Sequence, residues 1–99
     1  MAWGYVQTLG NVTWDEYERL GEELDHMVPA GAILHLAGAY EGGIRIIDVW
    51  ESEEAFNRFR DEHLAPALLR VFGEQRAAER AGGIEPLDVR NVMITSATP

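Results

Sequence analysis

Cysteine and lysine are both absent from this chain of 99 residues. Without cysteine there can be no disulfide bond, no thiolate nucleophile and no thiolate metal ligand, so packing must hold the fold together. All eight basic residues are arginines, and they face seventeen acidic residues, for a net charge of −9. No run of arginines forms a cationic patch. The balance argues against nucleic acid as a partner and against docking on an anionic membrane.

Long apolar runs are missing as well. None approaches the roughly 20 residues that span a bilayer, and the first residues lack the basic start and apolar stretch of a secretory signal. We therefore expect a cytoplasmic protein. The composition, 46% hydrophobic and 25% charged, is typical of a globular domain. Without repeats or linkers, the sequence predicts one domain over residues 1–99, with Ser96–Pro99 as a loose tail.

The first half of the chain carries clear signals for a strand and a helix. Residues 3–9 are aromatic and β-branched, as in a strand. Residues 12–28 place apolar side chains at helical spacing between acids, which predicts a helix that ends before Pro29. Thr13 and Glu16 have the spacing of a capping box at the start of that helix.

The second half begins with a hairpin. Residues 32–40 and 44–51 are β-rich and flank a short glycine turn, which predicts two antiparallel strands. Ser52 is a natural N-cap for a second helix. Pro66 is expected to interrupt or kink that helix, because proline lacks an N–H and clashes with the preceding turn.

A further helical stretch runs to Gly82-Gly83, and Pro86 opens a last strand over residues 87–95. The order β-α-β-β-α-β predicts an α+β fold of ferredoxin-like type, with a four-stranded antiparallel sheet and both helices on one face. Two separate hairpins with packed helices are the alternative. That alternative would need strands where the capping signals indicate helix.

The hairpin register decides which side chains share a face. A two-residue Gly42-Gly43 loop would place His35 opposite Trp50 and diagonal to Asp48, on the face towards the helices. That face would also carry Ile33, Ala37, Ala39, Ile44 and Ile46. A three-residue loop would pair the strands differently and mix the two faces.

The other face of the hairpin carries aliphatic side chains that nothing else in the chain covers. They are Leu34, Leu36, Ile47 and Val49. Burying each stabilises by about 1.5–3 kcal/mol, and a soluble monomer rarely leaves such a patch exposed. We therefore expect a homodimer in which two sheets stack about a two-fold axis.

Asp48 stands out in a strand that is otherwise apolar. A buried aspartate without a partner is costly, so Asp48 needs a hydrogen-bonding neighbour or water. His35 or an arginine can serve, and Tyr5 or Gln7 from the first strand can join them. The sequence thus predicts a polar island in an apolar cleft between sheet and helices.

The stretch GGIRIIDVWESEEAFNRF at residues 42–59, with DEHLAPAL at 61–68, resembles the dimeric α+β barrel superfamily of antibiotic-biosynthesis monooxygenases. The likeness is a strand ending in Trp-Glu-Ser, then a helix opening with acids and a phenylalanine. It looks closest to short actinobacterial-type members with a histidine on the second strand. The resemblance implies two ferredoxin-like chains in one barrel, each with a ligand pocket between its sheet and helices.

The same resemblance implies several activities, among them cofactor-independent oxygenation and cyclisation of aromatic polyketides. In the haem-degrading branch Trp50 matches the pattern, but Gln7 replaces an asparagine and His63 comes several residues late. Haem degradation is therefore not expected. The oxygenase and cyclase branches use assorted residues, so no catalytic set transfers residue by residue.

Two groups of residues are candidates for function in this cleft. The candidate catalytic residues are His35, Asp48 and His63, and the candidate substrate-binding residues are Trp50, Phe56, Phe59, Tyr5 and Gln7. Asp48 can orient His35 as a general base near neutral pH, or it can tie down a loop or the dimer interface. His35 and Trp50 can instead be core residues, and His63 can lie at the surface.

Two functions of different classes follow, and neither uses a metal or another cofactor. The histidines lack metal-ligand spacing, and the glycine pairs lack the strand-to-helix context of a nucleotide site. The first function is an enzyme that moves protons on a small apolar or aromatic ligand, as a cofactor-independent monooxygenase or a cyclase or isomerase. The second is a non-catalytic homodimer that binds such a ligand.

Overall fold

The computed structural model describes residues 2–80 and 83–94, so the predicted tail at Ser96–Pro99 lies outside the described residues. The elements are β1 (Trp3–Gly10), α1 (Trp14–Glu23), β2 (Ala32–Tyr40), β3 (Gly43–Trp50), α2 (Glu53–Phe59), a π-helical turn (Arg60–Leu64), α3 (Ala65–Arg80) and β4 (Ile84–Asp88). The strands form one sheet in the order β2-β3-β1-β4. Every neighbouring pair is antiparallel. The predicted α+β class with a four-stranded antiparallel sheet is confirmed.

The pairing of β2 with β3 is shifted by two residues from the predicted register. Tyr40 pairs with Gly43, so the turn is Glu41-Gly42 and His35 lies directly opposite Asp48. The reason is Gly43, which has φ +152°. A Cβ on Gly43 would lie 2.1 Å from the Leu9 carbonyl oxygen of β1, so only glycine allows this approach.

The shift of two residues preserves the alternation of faces from residue 35 to residue 50. The register also slips between Ala32 and Leu34, an irregularity that the sequence does not predict. Val49 is buried, whereas Leu36 and Ile47 on the same face are exposed. Only part of the predicted aliphatic patch is therefore exposed.

The first helix starts as predicted and ends early. Thr13 Oγ1 accepts a hydrogen bond from the Glu16 N–H, and the Thr13 N–H donates to Glu16 Oε1, each at 3.1 Å. The helix stops at Glu23 instead of residue 28, because Asp25 and His26 have positive φ angles of 57° and 50°. Residues 27–28 are therefore loop.

The second helix begins at its predicted cap, since Ser52 Oγ accepts from the Ala55 N–H at 3.1 Å. The interruption predicted at Pro66 takes the form of the π turn, in which the Ala65 N–H donates to the Arg60 carbonyl. Pro66 then lies in the first turn of α3, directly after the π turn. A second break lies at Gly73, whose φ of 79° and ψ of 167° are restricted to glycine.

The last strand begins before Pro86, at Ile84, and ends at Asp88 instead of residue 95. Pro86 pairs with Tyr5 of β1. Because β4 is an edge strand, it is hydrogen-bonded along one side only and tolerates a residue without an N–H.

The core lies between the sheet and the helices. Its buried members are Tyr5, Val12, Ile44, Ile46, Trp50, Ala55 and Phe56. Two ion pairs hold α1 against α3. Arg76 Nη2 lies 2.8 Å from Glu16 Oε2, and Arg70 pairs with Glu23. These pairs fix one wall of the space described next.

Candidate functional site

A cavity of about 480 Å³ opens between the sheet, α1 and the segment from α2 to α3. Its walls are mainly aliphatic and aromatic, with side chains such as Leu20, Leu24, Phe59 and Leu68. Polar groups enter it mainly from the strands. A large apolar space with few polar groups is typical of a site for a small organic ligand.

Asp48 anchors the polar part of the cavity. Its side chain is 6% exposed. Oδ2 accepts hydrogen bonds from the Tyr5 hydroxyl at 2.9 Å and from Trp50 Nε1 at 3.0 Å. Oδ1 lies 2.6 Å from His35 Nδ1. Tyr5 and Trp50 can only donate here, so the carboxylate is held rigidly as an acceptor.

His35 continues the chain of hydrogen bonds towards α1. Its Nε2 lies 2.5 Å from the Tyr17 hydroxyl, and the two rings are nearly parallel. When the imidazole is neutral, the Asp48 carboxylate selects the tautomer with the proton on Nδ1. Nε2 then accepts the Tyr17 proton. The result is a linear arrangement of tyrosine, histidine and aspartate with Tyr17 at its end, at the cavity wall.

The surroundings change the pKa of three groups that are hydrogen-bonded in this site. The hydrogen bond to Asp48 raises the pKa of His35 above its ordinary value of 6.5, although burial acts in the opposite direction. Burial, reinforced by the Asp48 charge, raises the pKa of both Tyr5 and Tyr17. Both phenols therefore stay protonated at neutral pH, and His35 keeps its proton to a higher pH than a free imidazole does.

The raised pKa of His35 predicts how stability depends on pH. The pair with Asp48 contributes its full stabilisation below pH 6.5, and the contribution is lost as the pH rises through the pKa of the folded state. Urea unfolding of the wild type and of His35→Gln should therefore differ most at low pH and converge at alkaline pH. An NMR titration of the His35 ring should have its midpoint above 6.5. A midpoint at or below this value would contradict the effect of Asp48.

The structure brings together seven of the eight predicted site residues. The cavity is lined by Tyr5, Gln7, His35, Asp48, Trp50, Phe56 and Phe59. His63 is the exception. Its side chain is about half exposed, lies 3.9 Å from Glu62 and borders a separate depression with Glu23 and Arg70. His63 lies in the π turn and does not line the cavity, so its catalytic role stays a prediction without a place in the site.

Tyr17 was not among the predicted site residues. The sequence places it only among the side chains at helical spacing in the helix predicted over residues 12–28. The sequence did give one indication of its role, because a tyrosine on the core-facing side of a helix needs a hydrogen-bond partner for its hydroxyl. That partner, His35, lies on a distant strand, and no local pattern indicates the pairing.

Within residues 2–80 and 83–94, no set of three or more potential ligands among histidine and acidic side chains is placed to hold a metal ion. The helices in these ranges are too short or too polar to cross a bilayer. The cytoplasmic location stays a prediction.

No known protein family, curated protein or solved structure matches this chain. What the site can do must therefore follow from its own chemistry.

Proposed function

We propose that this protein is an enzyme that moves a proton on a small, mainly apolar ligand held in the cavity. The observation that carries the proposal is the chain from Tyr17 through His35 to Asp48, all three of which line the cavity. A general base needs a proton-accepting group, a fixed tautomer and contact with the ligand space. His35 and Tyr17 together provide all three.

The proposed step begins with neutral His35. The Tyr17 oxygen takes a proton from an acidic C–H or O–H of the ligand while the Tyr17 proton passes to His35 Nε2. The products are an imidazolium ion paired with Asp48 and a ligand carbanion or alkoxide in an apolar space. Asp48 is a positioning residue, because it contacts His35 and not the ligand in this step.

Three reactions can follow, and they differ in what happens to the ligand anion. Return of the proton to another atom is an isomerisation, and attack on a carbonyl within the ligand is a cyclisation. Electron transfer to molecular oxygen as a co-reactant would begin a cofactor-independent oxygenation, the activity that the resemblance implies. All three need the same deprotonation, orientation and exclusion of water.

A neutral probe tests the proton transfer without the natural substrate. 5-Nitrobenzisoxazole loses its C–H proton to a base and opens to a coloured phenolate, and the apolar walls should bind it. We expect His35→Gln and Tyr17→Phe each to lower the rate about 10²–10⁴-fold, and the wild-type rate to rise with pH as His35 loses its proton. His63→Gln is the matched control and should keep the full rate.

Two results would contradict the proposal. One is a wild-type protein that is no faster than free imidazole at equal concentration. The other is a folded His35→Gln variant with an unchanged rate. The second result would favour a non-catalytic binding protein, whose polar groups only satisfy one another. The complete set of hydrogen bonds on Asp48 supports that alternative.

We also propose the ferredoxin-like arrangement and a homodimer. The order β2-β3-β1-β4, with helical crossovers after β1 and β3, supports the arrangement. On the sheet face away from the core, the register aligns the exposed side chains of Leu34, Leu36, Ile47 and Leu87. A second copy stacked there would cover them.

The dimer is expected in sedimentation velocity at micromolar concentration. Leu36→Glu should convert it to a monomer, because a charge would be buried at the centre of the contact. Leu69→Glu changes a similarly exposed leucine on α3 and should leave the dimer intact. A monomeric wild type would exclude this assembly.

A further inference from the structure

Arg60 is the one arginine among the described residues that line the cavity. The guanidinium lies 5.9 Å from the centre of the Phe56 ring, and Phe56 is a buried wall of the same space. The side chain is 43% exposed, so it is accessible to a ligand and partly desolvated. The chain has a net charge of −9 and only eight arginines, and Arg60 brings one of their positive charges to the cavity.

The partner of Arg60 distinguishes it from arginines with a structural role. Arg70 and Arg76 each pair with a glutamate of α1 and join two helices. Arg60 pairs with its neighbour Asp61, whose side chain is 67% exposed. An exposed pair between adjacent residues joins no elements, and a ligand anion can readily replace it.

The backbone at Arg60 is also unusual. Arg60 is the first residue of the π turn, and π turns inside helices are frequent at functional sites. A helix rotates by about 100° per residue, so one additional residue in a turn reorients everything after it. Here, Arg60 and Leu64 both line the cavity, and His63 does not.

We propose that the ligand of this cavity carries a carboxylate that binds to Arg60, so that the substrate class is a compact aromatic or alicyclic acid. Arginine presents parallel N–H groups that match the two oxygens of a carboxylate. Phe56 supports the guanidinium from one side. The proposal deepens the proposed function, because it concerns the same cavity, with Arg60 binding one end of the ligand and Tyr17 acting on another.

The test compares 2-naphthoate with 2-naphthamide, which have the same ring system and differ in charge, by isothermal titration calorimetry. We expect the wild type to bind naphthoate about tenfold or more tightly than naphthamide. Arg60→Gln should remove this preference by weakening naphthoate alone. Arg58→Gln changes an exposed arginine of α2 that does not line the cavity, and it should behave as the wild type.

Three results would overturn the proposal: equal binding of acid and amide by the wild type, an equal loss of both in Arg60→Gln, and no binding of either at millimolar concentration. Tyr17→Phe should keep the preference for the acid, and its loss there would assign the carboxylate to Tyr17 instead. The benzisoxazole assay uses a neutral probe. A failure of the carboxylate site therefore leaves the proton transfer standing, and the reverse also holds.

Discussion

Replacement of Asp48 by asparagine should slow proton transfer severely while the protein stays folded. The amide oxygen can still accept from Tyr5 and Trp50, whose hydrogens have no other acceptor in the contacts described above. The amide NH₂ group then faces His35 Nδ1 and requires a lone pair there. The imidazole proton must move to Nε2, which can no longer accept the Tyr17 proton.

The expected loss is about 10²–10⁴-fold in the rate of benzisoxazole opening, because the wrong tautomer removes the base. The free energy of unfolding should fall by only about 1 kcal/mol. Nitrogen-15 NMR of the His35 ring reports the tautomer directly.

Asp88→Asn is the control, since Asp88 is exposed and pairs with Arg90. Its rate and the His35 tautomer should be those of the wild type. A folded Asp48→Asn variant with full activity would show that Asp48 does not set the tautomer.

Replacement of Asp48 by alanine should have the largest effect on stability. It leaves the Tyr5 hydroxyl and the Trp50 N–H without an acceptor in a buried place, and each stranded donor costs about 1–3 kcal/mol. Including the loss of the pair with His35, we expect a decrease of about 3–5 kcal/mol in the free energy of unfolding. Urea unfolding measures it.

A double-mutant cycle identifies the cause of this loss. Tyr5→Phe removes one stranded donor, so the double variant Asp48→Ala with Tyr5→Phe should be more stable than the sum of the single changes predicts, by about 0.5–3 kcal/mol. Asp88→Ala should change stability by less than about 0.5 kcal/mol. Simple additivity would mean that Asp48 stabilises by some route other than these hydrogen bonds.

The features predicted correctly depend on neighbours in the chain. The caps at Thr13 and Ser52 need only the next three residues, and their hydrogen bonds form as expected. The alternation of β3 placed Asp48 and Trp50 on one buried face, because a strand has a period of two. The interruption at Pro66 follows from the chemistry of proline alone.

The features that were missed depend on distant parts of the chain. The hairpin register is fixed by Gly43 against the Leu9 carbonyl of β1, a contact that no hairpin pattern contains. The early end of α1 is set by positive φ at Asp25 and His26, residues that do not require that conformation. The partner of Tyr17 and the cavity position of Arg60 depend on how elements pack and on the π turn.

Glu16, the residue before Tyr17, gives the site a second sensitivity to acid that is separate from His35. One of its oxygens accepts from the Thr13 N–H and the other pairs with Arg76, so the start of α1 is joined to α3. The backbone hydrogen bond from Thr13 lowers the pKa of Glu16 below 4.5, and its stabilisation is lost as the pH falls through that lowered value. The loss of activity at acid pH should therefore occur in two steps. The first, at milder pH, is the protonation of the imidazole, and the second, at lower pH, breaks the Glu16 contacts that join the helix carrying the phenol to α3.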